Sequence, residues 1–179
     1  MRAVVVVDMQ KDFCHPDGAL YVGDHVREIF EPTRKVVEFA RKNGIPVIFT
    51  QDWHREDDPE FEIWPKHCLA GSEGAEVIDE LDPKPNDYYV KKRRYSAFFA
   101  TDLDLTLREL GVKELLICGV VTNICVLHTV ADAIMRGYGV TVLEDCVAAL
   151  SEEDQRYGIR HMREVLRARI LKSDELLRE

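Results

Sequence analysis

Cys125 is the residue of this chain whose setting most favours nucleophilic chemistry. It follows an apolar run at residues 115–117 and Gly119, and from Thr122 onward apolar residues recur at helical spacing. This pattern predicts a strand, a tight turn and a helix with Thr122 as its N-cap. Cys125 would then lie in the first helical turn, where unpaired N–H groups and the helix dipole stabilise a thiolate. The alternative is a small buried cysteine packed beside the sheet, as most free cysteines are.

Asp8 and Lys92 are the residues that can assist a cysteine nucleophile. Asp8 ends the β-branched run at residues 3–7, which predicts a central strand buried on both faces, and Lys92 ends a strand predicted at residues 87–92. By itself, an aspartate after a strand is more often a helix cap or a turn former. Beside Cys125, however, the two residues supply an acid–base group and a cation. A buried lysine next to Asp8 would also hold that carboxylate and tune both pKa values.

Asp52, His54 and His67 form a second set of residues that suit chemistry. An Asp-x-His sequence followed by a distant histidine provides carboxylate and imidazole ligands for a metal that stays open to further ligands. The alternative is that these are surface histidines in a polar loop. Residues 51–81 show no periodic pattern, and an irregular segment of this length in a small domain is usually functional. Zinc, iron (Fe²⁺) and manganese (Mn²⁺) all accept such ligands, and we choose Zn²⁺.

The elements that must position these residues alternate between strand and helix. Further strands are predicted at residues 45–50, 115–117, 140–144 and 168–171, and residues 10–24 have the composition of a long loop. Helix starts are signalled by Pro32 at a first helical position, by Thr101 with Asp104 as a capping box, and by Ser151 with Asp154.

This alternation predicts an α/β fold with three layers, in which a doubly wound, mainly parallel β-sheet lies between two layers of helices. The length suits a single domain over residues 1–179. Ligands of such folds bind at the carboxyl ends of the strands. Asp8, Asp52, Lys92 and the turn before Cys125 all follow predicted strands, so we expect them to meet at one edge of the sheet.

The composition argues against several classes of function. The net charge of −9 disfavours a nucleic-acid partner, because affinity for phosphate backbones depends on clustered Lys and Arg, and the one basic run, residues 91–94, is short. No apolar run has the length of a membrane span, so we expect no membrane partner. The five cysteines are odd in number and form no CxxC pair, and no signal peptide is recognisable. We therefore expect reduced thiols and a cytoplasmic protein.

Five stretches together resemble the isochorismatase-like cysteine hydrolases and, within them, the pyrazinamidase/nicotinamidase branch. They are VVVVDMQKDF (residues 4–13), QDWH (51–54), WPKHC (64–68), KRRYSAFFATDLD (92–104) and CGVVTNICVLHTVADA (118–133). They occur in the order found in that family and extend over most of the chain. Each is weak alone, but their combination is highly specific. The resemblance implies the isochorismatase-like hydrolase fold.

The resemblance also implies a catalytic triad. Asp8 would act as general base and later as acid, Lys92 would be the third member, and Cys125 would be the nucleophile. Lys91 competes with Lys92, but the family's lysine stands four positions before the serine of the SAF sequence, here Ser96.

A cis peptide bond between Val120 and Val121 is a further implication of the resemblance. Its expected effect is to direct the backbone N–H of Val121, together with that of Cys125, at the substrate oxyanion.

For the metal site, the resemblance favours ligation by Asp52, His54 and His67 over the alternative that the histidines lie on the surface of a polar loop. Glu60 is an additional candidate ligand, because some nicotinamidases have a glutamate seven positions before the histidine of WPxH. Four other acidic residues compete for this role in the same loop, namely Glu56, Asp57, Asp58 and Glu62.

Two aromatic residues, Phe13 and Trp64, are placed around a flat substrate ring by the resemblance. In most proteins such residues would simply be core. His128 lies one helical turn after Cys125 and could in principle act as its base. We expect it instead to be a hydrogen-bonded helix residue, as we do His161.

The function that the resemblance implies is hydrolysis of nicotinamide to nicotinate and ammonia through a cysteine thioester, a reaction of NAD salvage. The principal alternative is another amide or a ureido (carbamoyl) compound, and a remote one is a non-catalytic binding protein on the same fold. Isochorismatase activity itself is disfavoured, because that branch does not keep the nucleophilic cysteine. Relatives are often dimers or tetramers, so we expect a homo-oligomer with a small-molecule amide as substrate.

Overall fold

The computed structural model describes residues 1–178, which form a sheet of parallel strands between two layers of helices. The strands are β1 (Arg2–Val7), β2 (Val47–Asp52), β3 (Tyr88–Lys92), β4 (Glu114–Val120), β5 (Gly139–Ala148) and β6 (Arg169–Leu171). They lie in the order 3-2-1-4-5-6, and all neighbours in the sheet pair in parallel. The helices are α1 (Lys11–Cys14), α2 (Phe30–Lys42), α3 (Leu103–Glu109), α4 (Leu127–Met135), α5 (Glu152–Glu164) and α6 (Ser173–Leu176).

The alternation of side chains along β1 shows why the sheet needs a helical layer on each face. Val4 and Val6 pack in one hydrophobic core with α2 and α6, whereas Ala3, Val5 and Val7 pack in a second core with α3, α4 and α5. A strand whose residues are apolar at every position must be covered on both faces. The predicted three-layer, doubly wound α/β fold is therefore confirmed, with β1 near the centre of the sheet.

The strand order places a crevice where the site residues were expected. The chain runs from β1 outward to β2 and β3 on one side, and then returns to β4, β5 and β6 on the other. In open α/β sheets ligands bind at such a reversal of strand order, outside the carboxyl ends of the strands. Asp8 directly follows β1, Asp52 ends β2, Lys92 ends β3, and the turn before Cys125 follows β4. The predicted convergence of these four positions on one edge is confirmed.

Three predicted local features are wrong. Residues 10–24 contain helix α1, which buries Phe13 and Cys14, so this segment is not wholly a loop. Pro32 is the third residue of α2, because a 3₁₀ helix (Asp24–Ile29) runs directly into it. Thr101 and Asp104 form no capping box: the Thr101 hydroxyl donates to the Ala97 carbonyl, and the Asp104 carboxylate accepts from Arg108 and Tyr138.

Other local predictions agree with the structure. Ser151 caps α5 by accepting a hydrogen bond from the Asp154 amide, at 3.1 Å. The segment between β2 and β3 is irregular, with three short 3₁₀ turns (Pro59–Glu62, Glu73–Ala75 and Asp79–Leu81).

Within residues 1–178, no helix combines the length and apolar composition that crossing a bilayer requires.

Gly119 in β4 is the glycine on which the approach of β1 and β4 depends. It has φ of +116°, and a Cβ atom at this position would overlap the backbone carbonyl group of Val7. These two strands carry Asp8 and Cys125 at their ends, so the close approach also sets the distance between the two residues.

Replacing this glycine tests that constraint. We expect Gly119→Ala to lower the free energy of unfolding by about 3 to 5 kcal/mol, because the methyl group meets rigid backbone in a conformation that L residues avoid. Gly111→Ala is the matched control, since Gly111 also has positive φ (+67°) but faces open space. We expect it to cost only about 1 to 2 kcal/mol. Urea denaturation followed by circular dichroism measures both, and equal losses would contradict the account.

Candidate active site

A buried ammonium group, that of Lys92, lies at the centre of the site. Its Nζ is 2.7 Å from Asp8 Oδ2, 2.6 Å from Asp52 Oδ1 and 3.5 Å from Cys125 Sγ, and it also donates to the Arg94 carbonyl at 2.9 Å. Lys92 is 1% exposed. Burial lowers the pKa of Lys92, but Asp52 and Asp8 outweigh it and hold that pKa well above its ordinary value. Lys92 is therefore a fixed cation. Lys91, the competing lysine, lies instead over the Trp53 ring.

Asp8 is held in place by the neighbouring strand. Its backbone has φ of +51°, and its Oδ1 accepts a 2.6 Å hydrogen bond from the Thr50 hydroxyl. The Asp8 carboxylate is fully buried, and one of its oxygens lies within 4.8 Å of Cys125 Sγ. Burial raises the pKa of Asp8 although Lys92 opposes it, so Asp8 is a stronger base than an ordinary carboxylate.

Cys125 lies in a π-helical turn (Thr122–Val126) that runs into α4, not in the first turn of an α-helix. Thr122 is not the N-cap, because its hydroxyl donates to the Gln155 side chain of α5 at 2.6 Å. Burial raises the pKa of Cys125 well above its ordinary value, although Lys92 opposes the shift. This environment favours the neutral thiol over the thiolate that a first helical turn would stabilise, so Cys125 needs a base.

The turn before the cysteine has the expected cis peptide bond between Val120 and Val121. Val121 and Cys125 both line the pocket described below. The Ile124 and Val126 amides both donate to the Val121 carbonyl, at 2.9 and 3.2 Å, which binds the turn to the start of the helix.

A cluster of metal-ligating side chains lies on the other side of Lys92. It contains Asp52, His54, Glu60 and His67, all buried, each with one ligand atom within 4.8 Å of the others. His54 Nε2 is 3.4 Å from Asp52 Oδ2 and 3.1 Å from Glu60 Oε2, and His67 Nε2 is 3.4 Å from Asp52 Oδ2. The structure thus brings together the three predicted ligands and Glu60.

The hydrogen bonds of the two histidines show that the cluster fits a divalent metal. The Nδ1 of His54 lies 3.0 Å from Asp58 Oδ2, and the Nδ1 of His67 lies 2.7 Å from the Pro65 carbonyl oxygen. Both partners are acceptors, so each Nδ1 carries a proton and each Nε2 can present a lone pair to the cluster. Two imidazoles and two carboxylates directed at one point are a suitable donor set for Zn²⁺, Fe²⁺ or Mn²⁺.

The electrostatics of the cluster favour a cation. Burial lowers the pKa of His54, but hydrogen bonds with Asp52 and Glu60 outweigh it and raise the pKa to about 10. Burial likewise raises the pKa of Asp52, but Lys92 and the two histidines outweigh it, so Asp52 stays ionised. Positive charge is stabilised at this point whether it is supplied by a proton or by a metal.

Asp52 connects the cluster to the cysteine. Its Oδ1 accepts from Lys92, whereas its Oδ2 faces both histidines. Gln10 fixes the backbone of Asp52 from both sides, donating to its carbonyl and accepting from its amide at 2.8 Å each. The two halves of the site therefore share one rigidly held carboxylate.

A pocket opens on both halves of the site. Cys125 lies on one part of its wall, and Asp52, Glu60 and His67 lie on another. The rest is mostly apolar, formed by Phe13, Leu20, Trp64, Tyr95, Ile124 and Leu150. The two predicted aromatic residues, Phe13 and Trp64, are thus in the pocket. The Phe13 ring lies 5.4 Å from that of His67, and the Trp64 indole N–H donates to the Tyr95 hydroxyl.

Several residues of the site were missed in the sequence. Thr50, Gln10 and Asp58 hold Asp8, Asp52 and His54, respectively. Thr50 had a usable signal, because it lies in β2 two residues before Asp52 and faces the end of β1. Asp58 had none, because it lies in an irregular loop among other acidic residues.

The remaining histidines considered as bases do not join the site. His128 is exposed and its Nδ1 bonds to the Ile124 carbonyl, at 2.7 Å. His161 packs against the Tyr157 ring on α5. His128 has the predicted hydrogen bond, and for His161 the structure shows packing on its helix.

Removal of the central cation tests the electrostatic account. We expect Lys92→Met to lower the free energy of unfolding at pH 7 by about 3 to 5 kcal/mol, because Asp8 and Asp52 would be left buried without a counter-ion. Lys91→Met is the matched control, and its exposed contact with Trp53 should cost no more than about 1 kcal/mol. Urea denaturation at pH 7 measures both variants. A Lys92→Met protein as stable as the wild type would overturn the account.

Comparison with known proteins agrees with this geometry. The isochorismatase domain family model matches residues 2–174. Among solved structures, the chain is similar to N-carbamoylsarcosine amidase from Thermoplasma acidophilum, with 40% identity, a TM-score of 0.89, and coverage of 97% of this chain and 96% of the other. It is equally similar in fold to the pyrazinamidase of Pyrococcus horikoshii in complex with zinc, with 33% identity, a TM-score of 0.89, and coverage of 96% and 98%.

A curated relative, the nicotinamidase of Escherichia coli, is 33% identical over 80% of this chain and 81% of its own length. The resemblance of the five sequence stretches to the isochorismatase-like hydrolases is confirmed. The chain therefore belongs to the isochorismatase family and is an amidohydrolase of that family.

Proposed function

We propose that this chain is a nicotinamidase, which hydrolyses nicotinamide to nicotinate and ammonia through a thioester on Cys125. The observation that carries the proposal is the small pocket whose aromatic wall joins the cysteine to the cluster of metal-ligating residues. A flat ring between Phe13 and Trp64 would have its carboxamide at Cys125 and its ring nitrogen toward the cluster.

In the first half of the proposed reaction, Asp8 removes the proton from the neutral Cys125 thiol. The sulfur attacks the carboxamide carbon, and a C–S bond forms as the carbonyl electrons move to oxygen. The N–H groups of Val121 and Cys125 are the proposed donors to this oxyanion. Asp8 then returns its proton to the amide nitrogen, the C–N bond breaks, and ammonia leaves.

In the second half, water replaces ammonia. Asp8 removes a proton from water, whose oxygen attacks the thioester carbon. The C–S bond breaks, Asp8 returns its proton to the sulfur, and the carboxylic acid that is released loses its own proton to ammonia to become nicotinate. Lys92 keeps its proton throughout and stabilises the negative charge that moves between Asp8 and Cys125.

Asp52, His54, His67 and Glu60 are the proposed ligands of a divalent metal, Zn²⁺ in the first place. When bound, such an ion supplies Lewis acidity toward a ring nitrogen of the substrate. Zinc in the complex of the pyrazinamidase from P. horikoshii supports this choice for the present chain.

The charge of the pocket favours nicotinamide over the second candidate, a carbamoyl compound. The similarity to N-carbamoylsarcosine amidase supports that alternative, but N-carbamoylsarcosine carries a carboxylate. Among the described residues that line the pocket, none is Lys or Arg, whereas Asp52 and Glu60 contribute carboxylates. A negatively charged substrate would therefore find no side-chain cation on the pocket wall, and its carboxylate could pair only with the proposed metal. A non-catalytic role is disfavoured by the complete set of Asp8, Lys92 and Cys125.

The cellular setting belongs to the same proposal. All five cysteines are free thiols, which fits a reducing compartment such as the cytoplasm, where nicotinate would enter NAD salvage. Homo-oligomerisation, which the family resemblance implies, stays a prediction.

A substrate panel tests the proposed function. We expect purified protein to release ammonia from nicotinamide about 100-fold faster, by kcat/KM, than from N-carbamoylsarcosine, because the pocket wall offers aromatic side chains to a flat ring and no Lys or Arg to a carboxylate. Nicotinamide turnover should fall after chelation and recover on addition of Zn²⁺. Turnover of the carbamoyl compound alone would refute the substrate assignment and leave the amidohydrolase class intact. Full activity after complete metal removal would refute the metal proposal only.

Replacing the nucleophile tests the chemistry. We expect Cys125→Ala to lower kcat by at least about 10⁴-fold, because no thioester can form. Binding of nicotinamide, measured by calorimetry, should remain, since the metal ligands are unchanged. Cys146→Ala, at another buried cysteine outside the pocket, is the control and should keep its activity. Residual turnover of more than a few per cent in Cys125→Ala would remove Cys125 from its role.

A further inference from the structure

Asp58 is a buried carboxylate beside the metal cluster that has no place in the proposed reaction. Its side chain is 0% exposed, and four donors surround it. Oδ2 lies 3.0 Å from His54 Nδ1 and 3.1 Å from Arg93 Nε, while Oδ1 lies 3.1 Å from both the Glu60 amide nitrogen and Arg94 Nη1. Asp58 is therefore fully engaged by donors and is itself unavailable as a ligand.

The contact with His54 determines which ring nitrogen faces the cluster. A carboxylate accepts only, so Asp58 requires a proton on His54 Nδ1 and leaves the Nε2 lone pair for a metal. The contact with the Glu60 amide positions Glu60, because Asp58 is the N-cap of the 3₁₀ turn (Pro59–Glu62) that carries this residue. One carboxylate thus orients two members of the cluster from outside it.

The partners of Asp58 come from the segment that also supplies the central lysine. Lys92 ends β3 and points into the sheet edge, and the next two residues, Arg93 and Arg94, reach across to Asp58. Their side chains are 46% and 40% exposed, so each ion pair alone would contribute little to stability. The two arginines instead compensate the charge of the Asp58 carboxylate, which is completely buried.

We propose that Asp58, held by Arg93 and Arg94, is a positioning residue that sets the tautomer of His54 and the place of Glu60 and so controls the metal affinity of the site. This inference rests on the proposed metal site. The basic run at residues 91–94 would then serve both halves of the site. Lys92 acts on the cysteine, and the two arginines act on the metal cluster. The competing explanation is a purely structural ion-pair cluster that stabilises the loop and has no effect on the metal.

The test compares two isosteric changes in the same loop. Asp58→Asn removes one negative charge and places an amide N–H₂ against donors. Asp57→Asn removes the same charge from the adjacent residue, whose side chain is 70% exposed and accepts hydrogen bonds from Arg55. Metal-free protein is titrated with Zn²⁺ in competition with a chromogenic chelator. We expect the zinc affinity of Asp58→Asn to fall by about 10- to 100-fold, the range for lost partners of metal-bound histidines, and that of Asp57→Asn to change less than 3-fold.

Cobalt substitution supplies a readout that loop stability alone would not change. Co²⁺ bound to Asp58→Asn should show altered visible absorption bands, because His54 no longer presents Nε2 in the same way, whereas the spectrum of Asp57→Asn should match the wild type. Wild-type zinc affinity and cobalt spectrum in a folded Asp58→Asn protein would overturn the proposal. Equal losses in both variants would also overturn it, since they would reduce the effect to loop charge.

A second variant decides the matter if Asp58→Asn does not fold. Arg93→Gln combined with Arg94→Gln leaves the carboxylate in place but removes its charge compensation. We expect the zinc affinity of this double variant to fall several-fold, and an unchanged affinity would overturn the proposal. None of these titrations uses nicotinamide. Failure of nicotinamide turnover with the predicted metal effects intact would thus refute the substrate and not the role of Asp58.

Discussion

The charge of Lys92 is the interaction on which the rest of the site depends. Asp8 and Asp52 are both buried, with an oxygen of each within 4.8 Å of the other. Two carboxylates at this distance repel by about 3 kcal/mol at an effective dielectric constant of about 20, and each also loses its hydration. The Lys92 ammonium, at 2.7 and 2.6 Å from them, makes this arrangement stable. Without it, at least one carboxylate would have to protonate or move.

The Lys92 ammonium nitrogen links the two halves of the site. Asp8 and Cys125, the proposed base and nucleophile, lie on one side of Lys92, and Asp52 faces the two histidines of the metal-ligating cluster on the other. Because the two oxygens of Asp52 serve different halves, a shift of the metal cluster would be transmitted to Lys92 and from there to Asp8. The two hydrogen bonds between the Gln10 side chain and the backbone of Asp52 oppose such a shift. The distance between the proposed substrate anchor and the proposed nucleophile thus depends on the strand ends that carry Asp52 and Lys92.

The sequence predicted those parts of the site that follow from the sheet. Asp8, Asp52, Lys92 and Cys125 each end or follow a strand, and the carboxyl ends of parallel strands meet at one edge, so their convergence required only the recognition of strands. The state of Cys125 was not predictable in this way. Its pKa depends on burial and on the charges of Lys92, Asp8 and Asp52, which become its neighbours only in the folded chain. The same holds for Thr122, whose hydroxyl contacts α5 in place of its own helix.

The basic run at residues 91–94 shows most clearly which contacts the sequence alone does not reveal. In the sequence it is a short group of like charges at a strand end, which is usually solvated. In the fold these four residues do different things. Lys91 lies on Trp53, and Lys92 neutralises Asp8 and Asp52. Arg93 and Arg94 together neutralise Asp58. Acidic residues from β1, β2 and the following loop thus meet three consecutive cations of one segment. Charge balance in this site is a property of the sheet edge as a whole, which explains how an acidic protein can bury the carboxylates of Asp8, Asp52 and Asp58 beside the Cys125 thiol.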